Sequence, residues 1–268
     1  MTVNVKEKME IAIAPKRRQS GLELLRILAM VLIVCHHYAL HNLIQPESVT
    51  VTLRFITAFG GWGKFGVNIF ILITSYFLCV EKFKLKKFIK LIFQISFFSF
   101  MLTLCFYLYH NPYAIGRRQV IRSLYIDGYW FAFVYLFLYA LFPFINLVIN
   151  NINEKMHVFI LSVGFIFLAV LHTYGFTLSF VYSQLMWFIY VYMTAAYIKK
   201  YPKNVFSKKY RWLIPAIMLT AAQVAAQLLF GLDTFSLTDP ILMINAVFWF
   251  LAFKNLTFLL FFRRKSAV

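Results

Sequence analysis

The stretch LLRILAMVLIVCHHY (residues 24–38) places one arginine and two adjacent histidines in a run that is otherwise as apolar as a membrane interior. About 20 predominantly apolar residues are enough for an α-helix to cross a bilayer. We therefore interpret residues 22–40 as a membrane-spanning helix. A charged residue at bilayer depth costs at least about 2.5 kcal/mol and normally faces a protein interior or a watery cavity. This helix therefore carries the first candidate functional residues.

The rest of the chain has the same character. Hydrophobic residues make up 62% of its 268 residues, and aromatic residues 20%, against about 45–50% apolar residues in a soluble domain. This composition excludes a soluble globular protein. We predict an all-α, polytopic transmembrane helical bundle of about eight spans, at residues 22–40, 62–80, 88–109, 129–149, 156–174, 180–198, 211–230 and 240–262.

The formal net charge is +18 at pH 7, which in a soluble domain would suggest nucleic-acid binding. Here, most of the 27 lysines and arginines lie in the two tails and in segments 81–90 and 199–211, which alternating spans place on the same side. Such a bias marks the cytoplasmic side. We predict cytoplasmic N- and C-termini, a multi-pass protein of the cell (cytoplasmic) membrane with the lipid bilayer as a partner, and no nucleic-acid partner.

The chain divides into three predicted parts. Residues 1–20 form a basic cytoplasmic tail, residues 21–262 the transmembrane domain, and residues 263–268 a short basic cytoplasmic tail. No small-residue cleavage site follows a short apolar core near the N-terminus, so we expect no removable signal peptide.

The polar residues of the first span fall on a helix stripe. Glu23 and Arg26 are three positions apart, which makes them neighbours on one face and predicts an ion pair. At 3.6 residues per turn, His37 lies within about 20° of Arg26, whereas His36 lies about 80° away and is expected to point elsewhere. The helix rise separates His37 from Arg26 by about 16 Å. The stripe therefore has an inner and an outer part.

Two interpretations of this stripe stay open. In one, Glu23 and Arg26 anchor the inner interface, and the histidines satisfy backbone groups or interfacial water. In the other, His37 is a general base, because the reference pKa of imidazole, about 6.5, lies near working pH. A metal site on His37 and His41 lacks a carboxylate or thiolate at a supporting spacing, so no metal is expected.

Four blocks of the sequence resemble membrane-bound acyltransferase family 3. GLELLRILAMVLIVCHH (21–37) resembles its first-span motif, in which an acidic residue, two further residues and an arginine are followed, after ten intervening residues, by a histidine. Glu23, Arg26 and His37 match those positions. The other blocks, in order, are FGVNIFILITSYFL (65–78), YWFAFVYLFLYALFPFINLVI (129–149) and MWFIYVYMTAAYIKKY (186–201).

The resemblance implies an activity for residues 21–262. Members of the family transfer an acyl group, usually acetyl, from cytoplasmic acyl-CoA to a hydroxyl of a sugar on a cell-surface polysaccharide or a lipid-linked precursor. It implies acetyl-CoA as the donor, a glycan or lipid-linked sugar as the acceptor, His37 as general base, and Arg26 with Glu23 as organisers of the inner part of a tunnel.

The resemblance also suggests residues for the two substrates. Lys87 and Lys90 keep the spacing of an Arg-x-x-Arg pair of the family; with Lys86, they are expected to attract the CoA phosphates, although the positive-inside bias alone also predicts them. The candidates for the substrate path are His36, Asn68, Ser75 and Trp130. Packing is the alternative for Asn68 and Ser75, and an interfacial aromatic belt is the alternative for Trp130.

The number of spans departs from the family pattern. Members usually have about ten spans, and we predict eight. The expectation is a C-terminally shortened or inactive member, or one completed by another subunit; a homo-oligomer or a completing subunit is the expected protein partner. The alternative function is a non-enzymatic membrane protein, such as a transporter or an assembly subunit.

Overall fold

The computed structural model describes residues 19–42, 51–109, 117–125, 129–173, 175, 184–207, 209–231 and 236–256. Within these ranges, the regular structure is helical and contains no strand, which confirms the predicted all-α bundle. The helices are α1 (Ser20–Asn42), α2 (Val51–Leu78), α3 (Leu85–Tyr109), α4 (Arg117–Arg122), α5 (Trp130–Asn151), α6 (Glu154–Phe165, continued by a π-helical turn, Ile166–Val170, and by Leu171–Thr173), α7 (Gln184–Lys200), α8 (Lys209–Phe230) and α9 (Pro240–Lys254), with a 3₁₀ turn at Asn204–Ser207.

Several of these helices fit the thickness of a bilayer. Among the described residues, five helical segments are long and apolar enough to cross a membrane, and α9 is a shorter apolar helix. The chain is therefore a multi-pass membrane protein, while the predicted count of eight spans is not confirmed. The five segments are Ser20–Ala39, Leu85–Tyr109, Trp130–Asn151, Glu154–Thr173 and Arg211–Phe230.

The start of α2 differs from the sequence-based expectation. The second span is predicted to begin at residue 62, whereas α2 begins at Val51 and includes the glycine-rich run at 59–66. Glycine weakens an isolated helix, but in a membrane small residues let two helix backbones approach closely. Packing against α1 explains why the glycine-rich run is helical.

The most extensive helix packing lies between α1 and α2, which run antiparallel. Gly60 faces Ala39, Gly63 faces His36, and Gly66 faces Ala29. A Cβ placed on Gly66 would lie 2.7 Å from the Ala29 carbonyl oxygen, and one on Gly60 would lie 2.9 Å from the Ala39 Cβ. The three glycines therefore set the separation of α1 and α2.

The buried core is centred on α2, α7 and α9. Its largest fully buried side chains include Trp187, Tyr192 and Phe250. Polar ties join the helices: the Asn146 amide donates to the Leu78 carbonyl (3.1 Å) and accepts from the Tyr192 hydroxyl (2.8 Å). Because hydrocarbon offers no hydrogen-bond partner, such groups must be satisfied within the bundle. These contacts fix α2, α5 and α7 relative to one another.

Candidate functional site: a cavity beside two histidines

A cavity of about 800 Å³ lies between α1, α2, α3 and α5. Its volume is within the range of about 300–1,000 Å³ that is usual for small-molecule sites. It lies where α1 approaches its C-terminal end and α5 begins, which is the outer end of the bundle in the predicted orientation. The cavity is mostly apolar, and its polar or aromatic lining residues include His36, His37, Lys64, Gln94, Ser99, Tyr129 and Trp130.

His37 is the accessible histidine of this cavity. Its side chain is exposed, whereas His36 retains only 9% of its accessible surface. The two imidazole rings are neighbours, with centroids 5.5 Å apart. The structure thus places the predicted general base on the cavity wall. The alternative of a metal site on His37 and His41 cannot be followed further, because the side chain of His41 is not among the described ones.

His36 is held in the contact between α1 and α2. Its Nδ1 donates a hydrogen bond to the carbonyl oxygen of Gly60, which fixes the tautomer because a carbonyl can only accept. The His36 ring is directed towards α2, in keeping with the prediction that it points away from the stripe, and His36 also borders the cavity that His37 lines. The angles around the axis of α1 describe each histidine relative to Arg26 only. They do not show that α2 approaches closely at Gly63, beside the imidazole of His36.

Lys64 is a cavity residue that the sequence interpretation did not select. It lies on α2, and its Nζ is 5.0 Å from the centroid of the Trp130 ring. A cation within about 6 Å of an aromatic ring is attracted by the ring quadrupole. Trp130, a predicted substrate-path residue, therefore borders the cavity together with a cation. Lys64 falls inside the predicted span 62–80, and a lysine within a membrane span is the signal that could have selected it.

The opposite wall of the cavity comes from α3. Gln94, Ser99 and Leu102 line it, and the Ser99 hydroxyl donates to the Tyr129 hydroxyl at 3.4 Å. Tyr129 immediately precedes α5, so this contact links the α3 wall to the start of α5.

The Glu23–Arg26 pair forms as its spacing predicts. Arg26 Nη1 lies 3.1 Å from Glu23 Oε2, and both side chains are partly exposed. The guanidinium carbon of Arg26 is 5.9 Å from the centroid of the Phe77 ring, near the C-terminal end of α2. This end of the bundle is the inner one in the predicted orientation, so the two parts of the stripe lie at opposite ends of α1.

Two further cations lie at the inner end. Lys199 Nζ, at the end of α7, is 4.3 Å from the centroid of the buried Tyr76 ring, and Lys254 Nζ, at the end of α9, is 5.9 Å from it. The Tyr76 and Phe77 rings are neighbours, 5.6 Å apart. Cations from three helices therefore surround two adjacent rings. We call Arg26, Lys199 and Lys254 the inner cation cluster.

Lys86, Lys87 and Lys90 lie elsewhere on the predicted inner side. All three are exposed on the first turns of α3. Exposed lysines there fit both of their predicted roles, attraction of an anionic donor and topological signalling.

Asn68 and Ser75 lie in the packed interior and are not among the described residues that line the cavity. The Asn68 amide accepts from Trp187 Nε1 (2.8 Å) and donates to the Leu237 carbonyl (3.0 Å). Ser75 is fully buried, and its hydroxyl has no hydrogen-bond partner in the described part of the chain. The two hydrogen bonds of Asn68 tie α2 to α7 and to the segment before α9, while a place for Asn68 and Ser75 on the substrate path stays a prediction.

One comparison with known proteins adds to this geometry. The model of a family described as an acyltransferase domain, acyltransferase family 3, matches residues 19–265. No curated protein and no solved structure matches the chain. The match covers all the described helices, including both ends of the polar stripe on α1. The chain therefore belongs to acyltransferase family 3, a family of membrane acyltransferases.

Proposed function

We propose that this protein is an O-acyltransferase of the cell membrane that transfers an acyl group, acetyl in the first instance, from cytoplasmic acetyl-CoA to a sugar hydroxyl of a glycan or lipid-linked precursor. The observation that carries the proposal is the exposed His37 in an 800 Å³ cavity at one end of α1, with the inner cation cluster at the other end. Because the chain belongs to a family of acyltransferases, we interpret this arrangement as a site for acyl transfer.

His37 acts as the general base in this proposal. The acceptor oxygen bonds to the thioester carbonyl carbon while its proton passes to His37; the carbon–sulfur bond then breaks, and the proton moves on to the leaving thiolate. A positioned base contributes about 10²–10⁴-fold to such a transfer. His37 suits this role better than His36 because a base must reach the acceptor hydroxyl, and His36 is committed to the Gly60 carbonyl.

The inner cation cluster receives the phosphates of the donor. Neither Lys199 nor Lys254 has a carboxylate partner among the described residues, and both point at the same ring. Two like charges in one place favour an anion between them. Lysine serves a phosphate as a point charge. Lys86, Lys87 and Lys90 add to the positive field that attracts the donor to this side.

The length of α1 fits a donor that reaches from one end to the other. Arg26 and His37 are about 16 Å apart along the helix axis. Coenzyme A joins its phosphates to its thiol through a long, flexible arm, which suits a site with the cations and the base at such a separation. Arg26, held by Glu23, marks the inner entrance to this path.

The test is a transfer assay with the full chain in phosphatidylcholine nanodiscs. Acetyl-CoA labelled in the acetyl group is supplied with a panel of oligosaccharide acceptors, and the label on the acceptor is measured by mass spectrometry. We expect label on a sugar oxygen, removable by mild base as an ester. A folded protein that binds CoA but labels no acceptor would contradict the proposal and favour a non-enzymatic membrane protein.

A further inference from the structure

Lys64 is a cation in a mostly apolar cavity, which the predicted orientation places at the outer end of the bundle. A charge at membrane depth is costly unless a counter-charge or water compensates it. The bias of cytoplasmic loops towards lysine does not account for a lysine at the opposite end of the bundle. Its position therefore needs an explanation in the chemistry of the cavity.

The described surroundings of Lys64 hold no counter-charge. No aspartate or glutamate is among the described residues that line the cavity, and the ion pairs of the described residues, Glu23–Arg26 and Glu154–Lys203, do not involve it. Its partner is the Trp130 ring. A cation–π contact is weaker than a charge-assisted hydrogen bond, so the ammonium has more to gain from an anion than from the ring.

The anion would lie beside the proposed base, because Lys64, His36 and His37 line the same cavity. We propose that the acceptor is an anionic sugar, whose carboxylate or phosphate binds Lys64 Nζ at the Trp130 ring while its hydroxyl faces His37. This inference rests on the proposed function and names the chemical class of its acceptor. Lys64 is then the residue that sets acceptor specificity.

The expected selectivity follows from the loss of one charged contact. Losing one hydrogen bond to a charged group in a cavity weakens binding by about 10- to 100-fold. An acceptor without an acidic group leaves the Lys64 ammonium unpaired and is disfavoured for that reason.

The test compares three acceptors of equal length: a neutral oligosaccharide, one with a uronic acid and one with a sugar phosphate. The protein is placed in phosphatidylcholine nanodiscs, so that no anionic lipid can supply the counter-charge. We expect kcat/KM to be about 10- to 100-fold higher for one or both anionic acceptors than for the neutral one. The preferred acceptor distinguishes carboxylate from phosphate.

Variants of Lys64 identify the residue responsible. In Lys64→Gln, kcat/KM for the anionic acceptor should fall to the value for the neutral one, and Lys64→Arg should restore the preference. Arg118→Gln removes an exposed charge of α4 that is not among the described cavity-lining residues, and it should leave both values unchanged. Equal kcat/KM for all acceptors in the wild type, or an equal fall for all in Lys64→Gln, would overturn the inference.

Two further measurements separate this inference from the proposed function. Equilibrium binding of the same acceptors without donor should show the same preference and the same loss in Lys64→Gln, even if no transfer occurs. Asp127 is the acidic residue nearest to Trp130 in sequence, and it is tested as an alternative counter-charge for Lys64. The inference fails if the wild type binds anionic and neutral acceptors equally and Asp127→Asn binds the anionic ones more tightly. In that case an ion pair within the protein accounts for Lys64.

Discussion

Nδ1 of His36 donates a hydrogen bond to the Gly60 carbonyl across the contact between α1 and α2, with Gly63 against the same imidazole. This relationship gives the two adjacent histidines different roles. His36 holds α1 and α2 together, and His37 is exposed on the cavity wall.

Substitution of Gly63 by alanine should separate the two helices. The added Cβ would overlap the His36 Cβ and Cγ, and overpacking of this kind costs about 1–3 kcal/mol. We expect a lower melting temperature of the nanodisc-embedded protein by differential scanning fluorimetry. Val34→Ala, on the exposed face of α1, is the control and should change it little; equal melting temperatures for Gly63→Ala and wild type would contradict the close contact.

The role of His36 can be tested by keeping or removing its donor. His36→Ala leaves the buried Gly60 carbonyl without this partner, which costs about 1–3 kcal/mol, whereas His36→Asn retains an N–H group near the position of Nδ1. Thermal stability should fall in His36→Ala and recover in large part in His36→Asn. If both variants are as stable as the wild type, the hydrogen bond does not hold α1 to α2.

Asn68 should prove to be a packing residue. Asn68→Asp would still accept a hydrogen bond from Trp187 Nε1, but an ionised aspartate has no N–H group to donate to the Leu237 carbonyl. Asn68→Leu loses both hydrogen bonds and should destabilise the protein by several kcal/mol, at about 1–3 kcal/mol for each unsatisfied group. The check is thermal unfolding together with steady-state kinetics. A stable Asn68→Leu protein with a specific rise in donor KM would instead place Asn68 on the donor path.

Substitutions in the two groups of inner lysines should affect the KM for acetyl-CoA to different extents. The double variant Lys199→Gln/Lys254→Gln removes both ammonium groups around Tyr76, so KM for acetyl-CoA should rise about tenfold or more at nearly constant kcat, since each charge-assisted contact contributes more than about 1 kcal/mol.

The matched comparison is the triple variant Lys86→Gln/Lys87→Gln/Lys90→Gln. Because these lysines are exposed, their effect should be smaller and should disappear at high salt. The opposite order of the two effects would assign the donor phosphates to the start of α3.

Sequence patterns predict what depends on neighbours along one helix. The span at 22–40 corresponds to α1 (Ser20–Asn42), and the Glu23–Arg26 pair follows from helical spacing. The convergence of Lys199 and Lys254 on Tyr76 is tertiary, because these residues belong to three helices.

The environment of His36 shows the same limit. Its orientation depends on how closely α2 approaches, which is set by Gly60, Gly63 and Gly66, and the sequence does not show which helix these glycines face. Lys64 was missed for a related reason, since only the packing of α2 beside α5 brings it to Trp130.

The central claim is that His37 is the base of an acyl transfer, and the rate of transfer in His37→Gln tests it most directly. The variant is compared with wild type and with His36→Asn, at saturating acetyl-CoA and acceptor, after equal thermal stability and equal CoA binding have been established. The account predicts a fall of about 10²–10⁴-fold in kcat for His37→Gln and near wild-type kcat for His36→Asn. Transfer at the wild-type rate in His37→Gln, with loss in His36→Asn, would contradict it.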